Sequence, residues 1–205
     1  LTTDHGETMG DHGLLEKGCR FYEGLVRVPL VFSWPGHLKQ DLRSNALVEL
    51  LDMTPTVLEL TGLDVPEYVQ GKSLLPILKG EASPDFHRES VRSEYFDAVF
   101  LEKTREPVGQ FGHVYSKASA RPDPESYPDG IGTFATMYRT DRHKLVVYHG
   151  HNLGELYDLD EDPWEFDNLW DDPAHEKLKS ELIFASFDSH VMLTTDVGSR
   201  RISPM

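Results

Sequence analysis

Metal-binding and cationic side chains are concentrated near the amino-terminal end of the sequence. Asp4 and His5 are adjacent, a second Asp-His pair follows at residues 11–12, and Lys17 lies a short way beyond, all within glycine-rich sequence. A carboxylate next to an imidazole can offer one oxygen and one nitrogen to a divalent ion, and Lys17 could then meet an anion held at that ion. The alternative interpretation is a polar surface turn in which Asp4 and Asp11 cap short helices and both histidines are solvated.

Hydrophobic patterning predicts the elements that position this segment. Val26–Phe32 and Ala46–Leu51 are short apolar runs, and each is typical of a buried strand. Two short helices are predicted after them, one capped by Thr54 and ended by Gly62, and one between residues 73 and 80. Strands that alternate with short helices indicate the edge of a mostly parallel sheet covered by helices.

The second half of the chain has a different pattern. Strands are predicted at residues 90–96, 134–140, 144–148 and 157–159, with a hairpin turn at residues 141–142 and a helix from residue 173 to about 190. This pattern indicates a small antiparallel sheet with one helix. The chain is therefore predicted to be α/β, with part of a mixed or parallel sheet plus helices and the metal-type loop in residues 1–86, and a smaller α+β subdomain in residues 87–205.

Composition indicates a globular chain and limits the classes of partner that it can bind. The 205 residues are 39% hydrophobic, enough to bury a core, and contain no apolar run of the roughly 20 residues that a membrane span needs. A formal charge of −15 disfavours nucleic acid or an anionic membrane as a partner. An anionic substrate stays compatible with this charge, because a local ion and Lys17 can outweigh distant charges that salt screens. The single cysteine, Cys19, excludes an internal disulfide.

Four ordered segments of the sequence resemble the sulfatase family, within the alkaline-phosphatase-like superfamily. They are Asp-His-Gly at residues 4–6 with Gly-Asp-His-Gly at 10–13 and Lys17; Arg-Val-Pro-Leu at 27–30 with Trp-Pro-Gly at 34–36; the stretches at 51–63 and 70–76; and Glu-Leu-Tyr-Asp-Leu at 155–159 followed by Asp-Pro-Trp-Glu-Phe-Asp-Asn-Leu at 162–169. The resemblance covers residues 1 to about 80 and about 155 to 170.

The resemblance implies a role for each residue of the amino-terminal segment. Asp4 and His5 would be two ligands of a divalent ion, expected to be Ca²⁺, with Mg²⁺ and Mn²⁺ as alternatives. Lys17 would be catalytic and substrate-binding, reaching a sulfate oxygen. His12 is expected to hold the loop through a hydrogen bond to the backbone rather than to act directly in catalysis, and it is also predicted to bind substrate. Asp52 is expected to hold the loop before the Thr54 cap.

The nucleophile of the sulfatase family is absent from this sequence. That family uses a formylglycine made from cysteine or serine in a C-x-P-x-R or S-x-P-x-R motif, and Cys19 is followed by Arg-Phe-Tyr-Glu. We therefore expect the chain to be the C-terminal portion of a sulfatase, inactive alone, whose partners are the N-terminal half of the same enzyme and a sulfate ester, with a sulfated carbohydrate as one candidate. The alternatives are a phosphonate monoesterase or phosphodiesterase of the same superfamily, or a non-catalytic folded module. An extracytoplasmic location is favoured.

Two further expectations concern the second half of the chain. Trp164, Phe166 and Trp170 are spaced to cover the small sheet, so core packing is expected for all three. Residues 102–132 are rich in glycine, proline, serine and charge, which predicts a long loop. An ordinary solvated insertion and a rim that touches substrate are the two interpretations of that loop.

Overall fold

The computed structural model describes residues 1–15, 17–96 and 134–195. The helices are α1 (Glu23–Val26), α2 (Met53–Leu60), α3 (Leu75–Lys79) and α4 (Glu176–Thr195), with 3₁₀ turns at Asp11–Gly13, Leu50–Asp52 and Pro173–His175. The strands are β1 (Val91–Phe96), β2 (Phe134–Arg139), β3 (His143–Tyr148) and β4 (Leu153–Asp158). Across this part of the chain, no helix is both long and apolar enough to cross a membrane. The predicted loop at residues 102–132 lies outside the described residues.

Contacts between Cα atoms divide the chain into two units. The first unit contains residues 1–30 with the described part of 92–176, and the second contains residues 31–91 with the described part of 177–205. The amino-terminal segment with Asp4, His5 and Lys17 therefore belongs to the same unit as the small sheet. The predicted domain boundary after residue 86 stays a prediction.

The sheet of the first unit has the order β1-β2-β3-β4. Strands β2 and β3 pair antiparallel with Arg139 opposite Lys144, and β3 pairs antiparallel with β4, with His143 opposite Asp158. This confirms the predicted hairpin. Together with the helices, the sheet confirms the predicted mixed α/β class with a small antiparallel sheet.

One face of this sheet packs against the amino-terminal segment. Ala135, Met137 and Val146 are buried there against Cys19 and Phe21 of the amino-terminal segment. Side chains two residues apart on a strand share a face, so Lys144 of β3 lies on the same face as Val146. The burial of Cys19 and Phe21 therefore fixes the chain that follows Lys17 onto the sheet.

The two short helices of the second unit were predicted from the sequence. Helix α2 begins at Met53, so Thr54 lies in its first turn rather than at the cap, and Gly62 follows its end with a φ of 74°. Helix α3 ends at Gly80, which also has a φ of 74°. The buried Thr56 hydroxyl accepts a hydrogen bond from the backbone N–H of Leu74, which ties α2 to the residue before α3.

The two strands predicted before these helices are not formed. Val26 ends α1 and the residues that follow it to Phe32 are neither helix nor strand, while residues 46–49 are irregular and lead into the 3₁₀ turn at Leu50–Asp52. An apolar run becomes a strand only where a neighbouring strand completes its backbone hydrogen bonds. The described residues form one sheet, made of β1 to β4, and neither segment belongs to it.

Candidate functional site

Close backbone contact holds the Asp4-His5 pair against α1. The N–H of Gly6 donates to the carbonyl of Leu25 over 2.8 Å. A Cβ atom placed on Gly6 would lie 1.9 Å from the carbonyl oxygen of Gly24, so only glycine fits at this position. The loop is therefore anchored to a helix whose Leu25 side chain is buried.

The hydrogen bonds of His5 define its tautomer. Nδ1 lies 2.8 Å from the carbonyl oxygen of Gly6, and Nε2 lies 2.9 Å from Nζ of Lys17. A carbonyl oxygen can only accept, so Nδ1 carries the proton and donates it. Nε2 then presents a lone pair, which accepts a hydrogen bond from the Lys17 ammonium. The predicted metal ligand and the predicted catalytic cation are thus in direct contact.

Asp4 presents an ionised carboxylate at the surface beside His5. Oδ1 accepts hydrogen bonds from the N–H of His5 over 3.1 Å and from the hydroxyl of Thr3 over 3.2 Å. The hydrogen bond from its own backbone N–H, followed by the nearby imidazole and the Thr3 hydroxyl, lowers the pKa of Asp4 below its ordinary value. Oδ2 lies 3.8 Å from Nε2 of His5, and the Asp4 side chain is 85% exposed.

These donors fit part of a divalent-ion site. The carboxylate is ionised, and the imidazole has its second nitrogen fixed by a backbone carbonyl, as metal-binding histidines generally do. Within residues 1–15, 17–96 and 134–195, no group of three His, Cys, Asp or Glu side chains comes together to hold a metal. Asp4 and His5 therefore fit as two ligands of an ion that would need further ligands, and their assignment stays a prediction.

His12 lies between two aromatic rings. Its own backbone has a φ of 53°, within the 3₁₀ turn Asp11–Gly13. The imidazole stacks on Tyr22 with ring centres 3.8 Å apart and planes within 10°, and the ring of Phe166 lies 5.2 Å away at 45°. These rings fix the position of the imidazole by contact. Its predicted role in substrate binding stays a prediction.

Sequence reasoning missed a buried charged cluster beneath this segment. Lys144 is fully buried, and its Nζ lies 2.7 Å from Oε1 of Glu165, 2.6 Å from Oε1 of Glu23 and 2.9 Å from the carbonyl oxygen of Phe21. Arg139 adds a second cation 3.2 Å from Glu23. The available signal was a lysine two positions before Val146 in an apolar strand, since such a residue faces the core and needs a carboxylate partner.

Electrostatics in this cluster favour the ionised form of Glu23. Burial opposes the charge on Glu23, but Lys144 and then Arg139 outweigh it and lower the pKa of Glu23 below its ordinary value. Glu165 also accepts the backbone N–H of Glu23 over 2.7 Å. Every charge in the cluster therefore has a partner, which is the condition for burying charges at all.

A further, half-buried carboxylate in the first unit has the tendency opposite to that of Glu23. Glu155 on β4 accepts a hydrogen bond from the Tyr148 hydroxyl over 2.8 Å. Burial is the largest influence on Glu155 and raises its pKa above the ordinary value, although Tyr148 and Arg20 act against that shift. Burial, with the charge of Glu155 next, also raises the pKa of both Tyr148 and Tyr157. Glu155 therefore favours the neutral form more than Glu23 does.

Only one of the three aromatic residues expected in the core covers the sheet. The ring of Trp170 lies against Gly154 of β4, where an added Cβ would be 2.3 Å from it. Trp164 is 73% exposed and Phe166 is 71% exposed, so the expectation of core packing was wrong for both. The turn that carries them is directed by Glu165, which has a φ of 60° and keeps its own side chain inside.

Asp52 has the structural role that was predicted for it. Its side chain is fully buried in the second unit, forms an ion pair with Arg88, and accepts the backbone N–H groups of Glu49 over 2.9 Å and Lys72 over 2.8 Å. It thereby holds the turn before α2 to the segment that leads into α3. A Cβ on Gly71 would lie 2.1 Å from the carbonyl oxygen of Leu51, so this approach also requires glycine.

Comparison with known proteins gives consistent matches. Residues 10–112, half of the chain, match the family model described as N-sulphoglucosamine sulphohydrolase, C-terminal. A Delta 4,5-hexuronate-2-O-sulfatase of Bacteroides thetaiotaomicron is 30% identical over 183 residues, which are 88% of this chain and 32% of that protein. An N-acetylglucosamine-6-O-sulfatase of the same organism is 28% identical over 89% of this chain and 28% of its own length. The chain thus spans about a third of these relatives.

Solved structures agree with the sequence matches. The structure of a 2-O GAG sulfatase superposes with a TM-score of 0.70 and 29% identity, over 95% of this chain and 36% of that one. Sulfatases of the alkaline-phosphatase-like fold are thus the structural neighbours of this chain, as the sequence predicted. The matched region is the one that the family model describes as C-terminal. The chain therefore belongs to the sulfatase family.

Proposed function

We propose that this chain supplies part of the metal and substrate site of an enzyme that hydrolyses sulfate esters. The observation that supports this most is the contact of 2.9 Å between Nζ of Lys17 and Nε2 of His5, beside the ionised carboxylate of Asp4. A cation and two oxygen- or nitrogen-donating ligands at one exposed point form the arrangement that an oxyanion and a divalent ion need together. The formylglycine nucleophile of such an enzyme is expected in its N-terminal half.

The proposed ion is Ca²⁺, with Mg²⁺ and Mn²⁺ as alternatives, bound by Asp4 and His5. When bound, such an ion supplies positive charge beside the sulfate oxygens. The residues of this chain prepare its site: Gly6 fixes the Nδ1 proton of His5, and Thr3 holds one carboxylate oxygen of Asp4. Oδ2 of Asp4 and the lone pair on Nε2 of His5, 3.8 Å apart, are then the donors available to a cation.

Lys17 is proposed to bind and stabilise the sulfate group. Nε2 of His5 has a single lone pair, so Lys17 and an ion compete for it. An ammonium released from His5 can donate to a sulfate oxygen and offset the charge that accumulates there as the ester bond breaks. His12, between its two aromatic rings, is proposed to bind the same substrate. A sulfated carbohydrate is the proposed substrate class, supported by relatives named as hexuronate and N-acetylglucosamine sulfatases.

The test uses the intact polypeptide that contains these residues, assayed with 4-nitrophenyl sulfate. Lys17→Met is expected to lower kcat/KM by about 10²- to 10³-fold, as the loss of one oxyanion donor generally does. Lys177→Met is the matched control, because Lys177 is 90% exposed on α4 and pairs only loosely with Glu181, 3.6 Å away. Equal activity of the two variants would contradict the proposal.

A phosphonate monoesterase is the second candidate function. A phosphonate monoester hydrolase of Silicibacter pomeroyi superposes with a TM-score of 0.69 and 27% identity, over 97% of this chain and 35% of that one. The proposed lysine and ion would serve a phosphonate oxygen as well as a sulfate oxygen, since both are tetrahedral oxyanions. A kcat/KM for 4-nitrophenyl phenylphosphonate above that for 4-nitrophenyl sulfate, lost with Lys17→Met, would favour this candidate. If the intact polypeptide hydrolyses neither of these esters nor a sulfated carbohydrate, the alternative of a non-catalytic module is favoured.

A further inference from the structure

The buried pair Lys144 and Glu165 grips the backbone on both sides of Tyr22. Nζ of Lys144 donates to the carbonyl of Phe21, which belongs to the peptide group before Tyr22. Glu165 accepts the N–H of Glu23, which belongs to the peptide group after Tyr22, over 2.7 Å. The pair itself is joined over 2.7 Å and both side chains are almost fully buried. Lys144 and Glu165 therefore hold the peptide groups on both sides of Tyr22, an aromatic residue that is itself partly exposed.

The same pair also directs the second ring beside His12. Glu165 points inward to Lys144 and has a φ of 60°, which turns the chain so that its neighbour Phe166 points outward. Phe166 is 71% exposed, yet its ring lies 5.2 Å from that of His12. The ring of Tyr22 stacks on the His12 imidazole, with the two ring centres 3.8 Å apart and the planes nearly parallel. Both aromatic neighbours of His12 therefore depend on Glu165.

We propose that Lys144 and Glu165 are positioning residues that hold the His12 imidazole for substrate binding through Tyr22 and Phe166. The inference rests on the proposed function, because it assumes that His12 binds the substrate. It assigns a role to the small sheet: β3 supplies the cation that orders a loop more than a hundred residues earlier in the sequence. A buried ion pair suits this role, because its bonds are strong in low dielectric and leave few alternative arrangements.

The geometry is tested by proton NMR of the intact protein, with Glu165→Met compared with Glu165→Gln. A ring stacked face to face shifts the imidazole protons of its neighbour upfield, and the His12 signals are assigned by their loss in His12→Gln. Methionine cannot accept the Glu23 N–H, whereas glutamine can. We expect the upfield shift to be lost in Glu165→Met and kept in Glu165→Gln. An unchanged shift in Glu165→Met would overturn the inference.

A second variant keeps this test decisive if Glu165→Met does not fold. The double variant Lys144→Met with Glu165→Met replaces the buried pair by apolar side chains, an exchange that folded proteins generally tolerate. It is expected to lose the His12 shift, and retention of the shift would overturn the inference. Arg142→Gln, which breaks an exposed ion pair with Asp158 on the same sheet, is the matched control and should keep the shift.

Kinetics separate this inference from the proposed function. Glu165→Met is expected to raise KM for a sulfate ester about tenfold with little change in kcat, since a small displacement of a binding group weakens binding. Glu165→Gln should restore a KM close to the wild-type value. If His12→Ala leaves KM unchanged, the proposed substrate role of His12 fails. If His12→Ala raises KM and Glu165→Met does not, the positioning role fails instead.

Discussion

Two lysines of the first unit show how burial changes what the same side chain does. Lys17 contacts His5 in a loop where the neighbouring Asp4 is 85% exposed. Lys144 is fully buried and donates to two carboxylates and a carbonyl. Both ammonium groups have partners within 3 Å. The ammonium of Lys17 can exchange His5 for a ligand from solvent, whereas the ammonium of Lys144 cannot change partners unless the protein unfolds.

Burial therefore distinguishes a lysine that is proposed to act in chemistry from a lysine with a structural role in the same unit. A cation in low dielectric is costly unless every neighbour is complementary, so Lys144 and its partners are committed to structure. A cation in a solvent-exposed loop can change its hydrogen-bond partner and bind an anion. The sheet supports the amino-terminal loop, because the buried cluster fixes the chain between Phe21 and Glu23, directly after the predicted site.

The largest effect is expected from removing the buried cation. Lys144→Met leaves the buried carboxylate of Glu165 without its cation, while Glu23 keeps Arg139, 3.2 Å away. We expect the free energy of unfolding to fall by about 3–5 kcal/mol. Urea denaturation of the variant measures this change, with Lys17→Met as the control that should lose less than about 1 kcal/mol. Equal losses in the two variants would abolish the distinction between the lysines.

The next effect is on metal affinity at the exposed site. Asp4→Asn removes the negative charge of a predicted ligand and keeps its shape. The affinity of this variant for Ca²⁺, measured by calorimetry on the intact protein, is expected to fall at least roughly 10- to 100-fold. That is the loss caused by altering a residue that only hydrogen-bonds a metal ligand. Stability without metal should not change, because this side chain is exposed. A variant that binds Ca²⁺ like the wild type would remove Asp4 from the site.

A smaller effect concerns the pH dependence of stability. Glu155 has its pKa raised in the folded state, mainly by burial. The folded state then binds a proton more tightly than the unfolded state, so this group lowers stability as pH rises from the unfolded pKa through the raised folded pKa. Glu155→Gln keeps an acceptor for the Tyr148 hydroxyl and cannot ionise. The stability of this variant relative to the wild type should therefore increase between pH 4 and pH 7 in denaturation curves, and a difference that stays constant over this range would contradict the shift.

The smallest effect is expected at an exposed ion pair on the same sheet. Arg142 is 52% exposed and donates two hydrogen bonds from Nε and one from Nη2 to Asp158. Arg142→Gln is expected to change the free energy of unfolding by about 0–1 kcal/mol, as exposed ion pairs generally do. A loss as large as that of Lys144→Met would show that exposure does not decide the value of a charge in this unit.

Local patterns explain which parts of the fold could be predicted from the sequence. Helix α3 ends where Gly80 can adopt a positive φ, and the β2–β3 hairpin joins two short runs rich in β-branched and aromatic residues across a polar turn, so both are encoded in adjacent residues. The apolar runs at 26–32 and 46–51 failed as strands because a strand depends on a partner that the run itself does not specify.

The residues of the candidate site were proposed from the sequence and stay a prediction, whereas the buried cluster beneath them was not anticipated. Asp4, His5 and Lys17 were identified by residue type, spacing and resemblance, and the structure brings Lys17 to His5. The buried pair Lys144 and Glu165 was not predicted, because it joins residues far apart in the sequence and depends on a positive φ at Glu165 that glutamate rarely adopts.

The most direct measurement is a crystal structure of the intact polypeptide with calcium and sulfate. We expect an ion about 2.3–2.6 Å from an oxygen of Asp4, with Nε2 of His5 directed at it, and Nζ of Lys17 within hydrogen-bonding distance of a sulfate oxygen. Calcium and sulfate bound in the catalytic cleft by other residues, with the Lys17 ammonium pointing away from both, would contradict it.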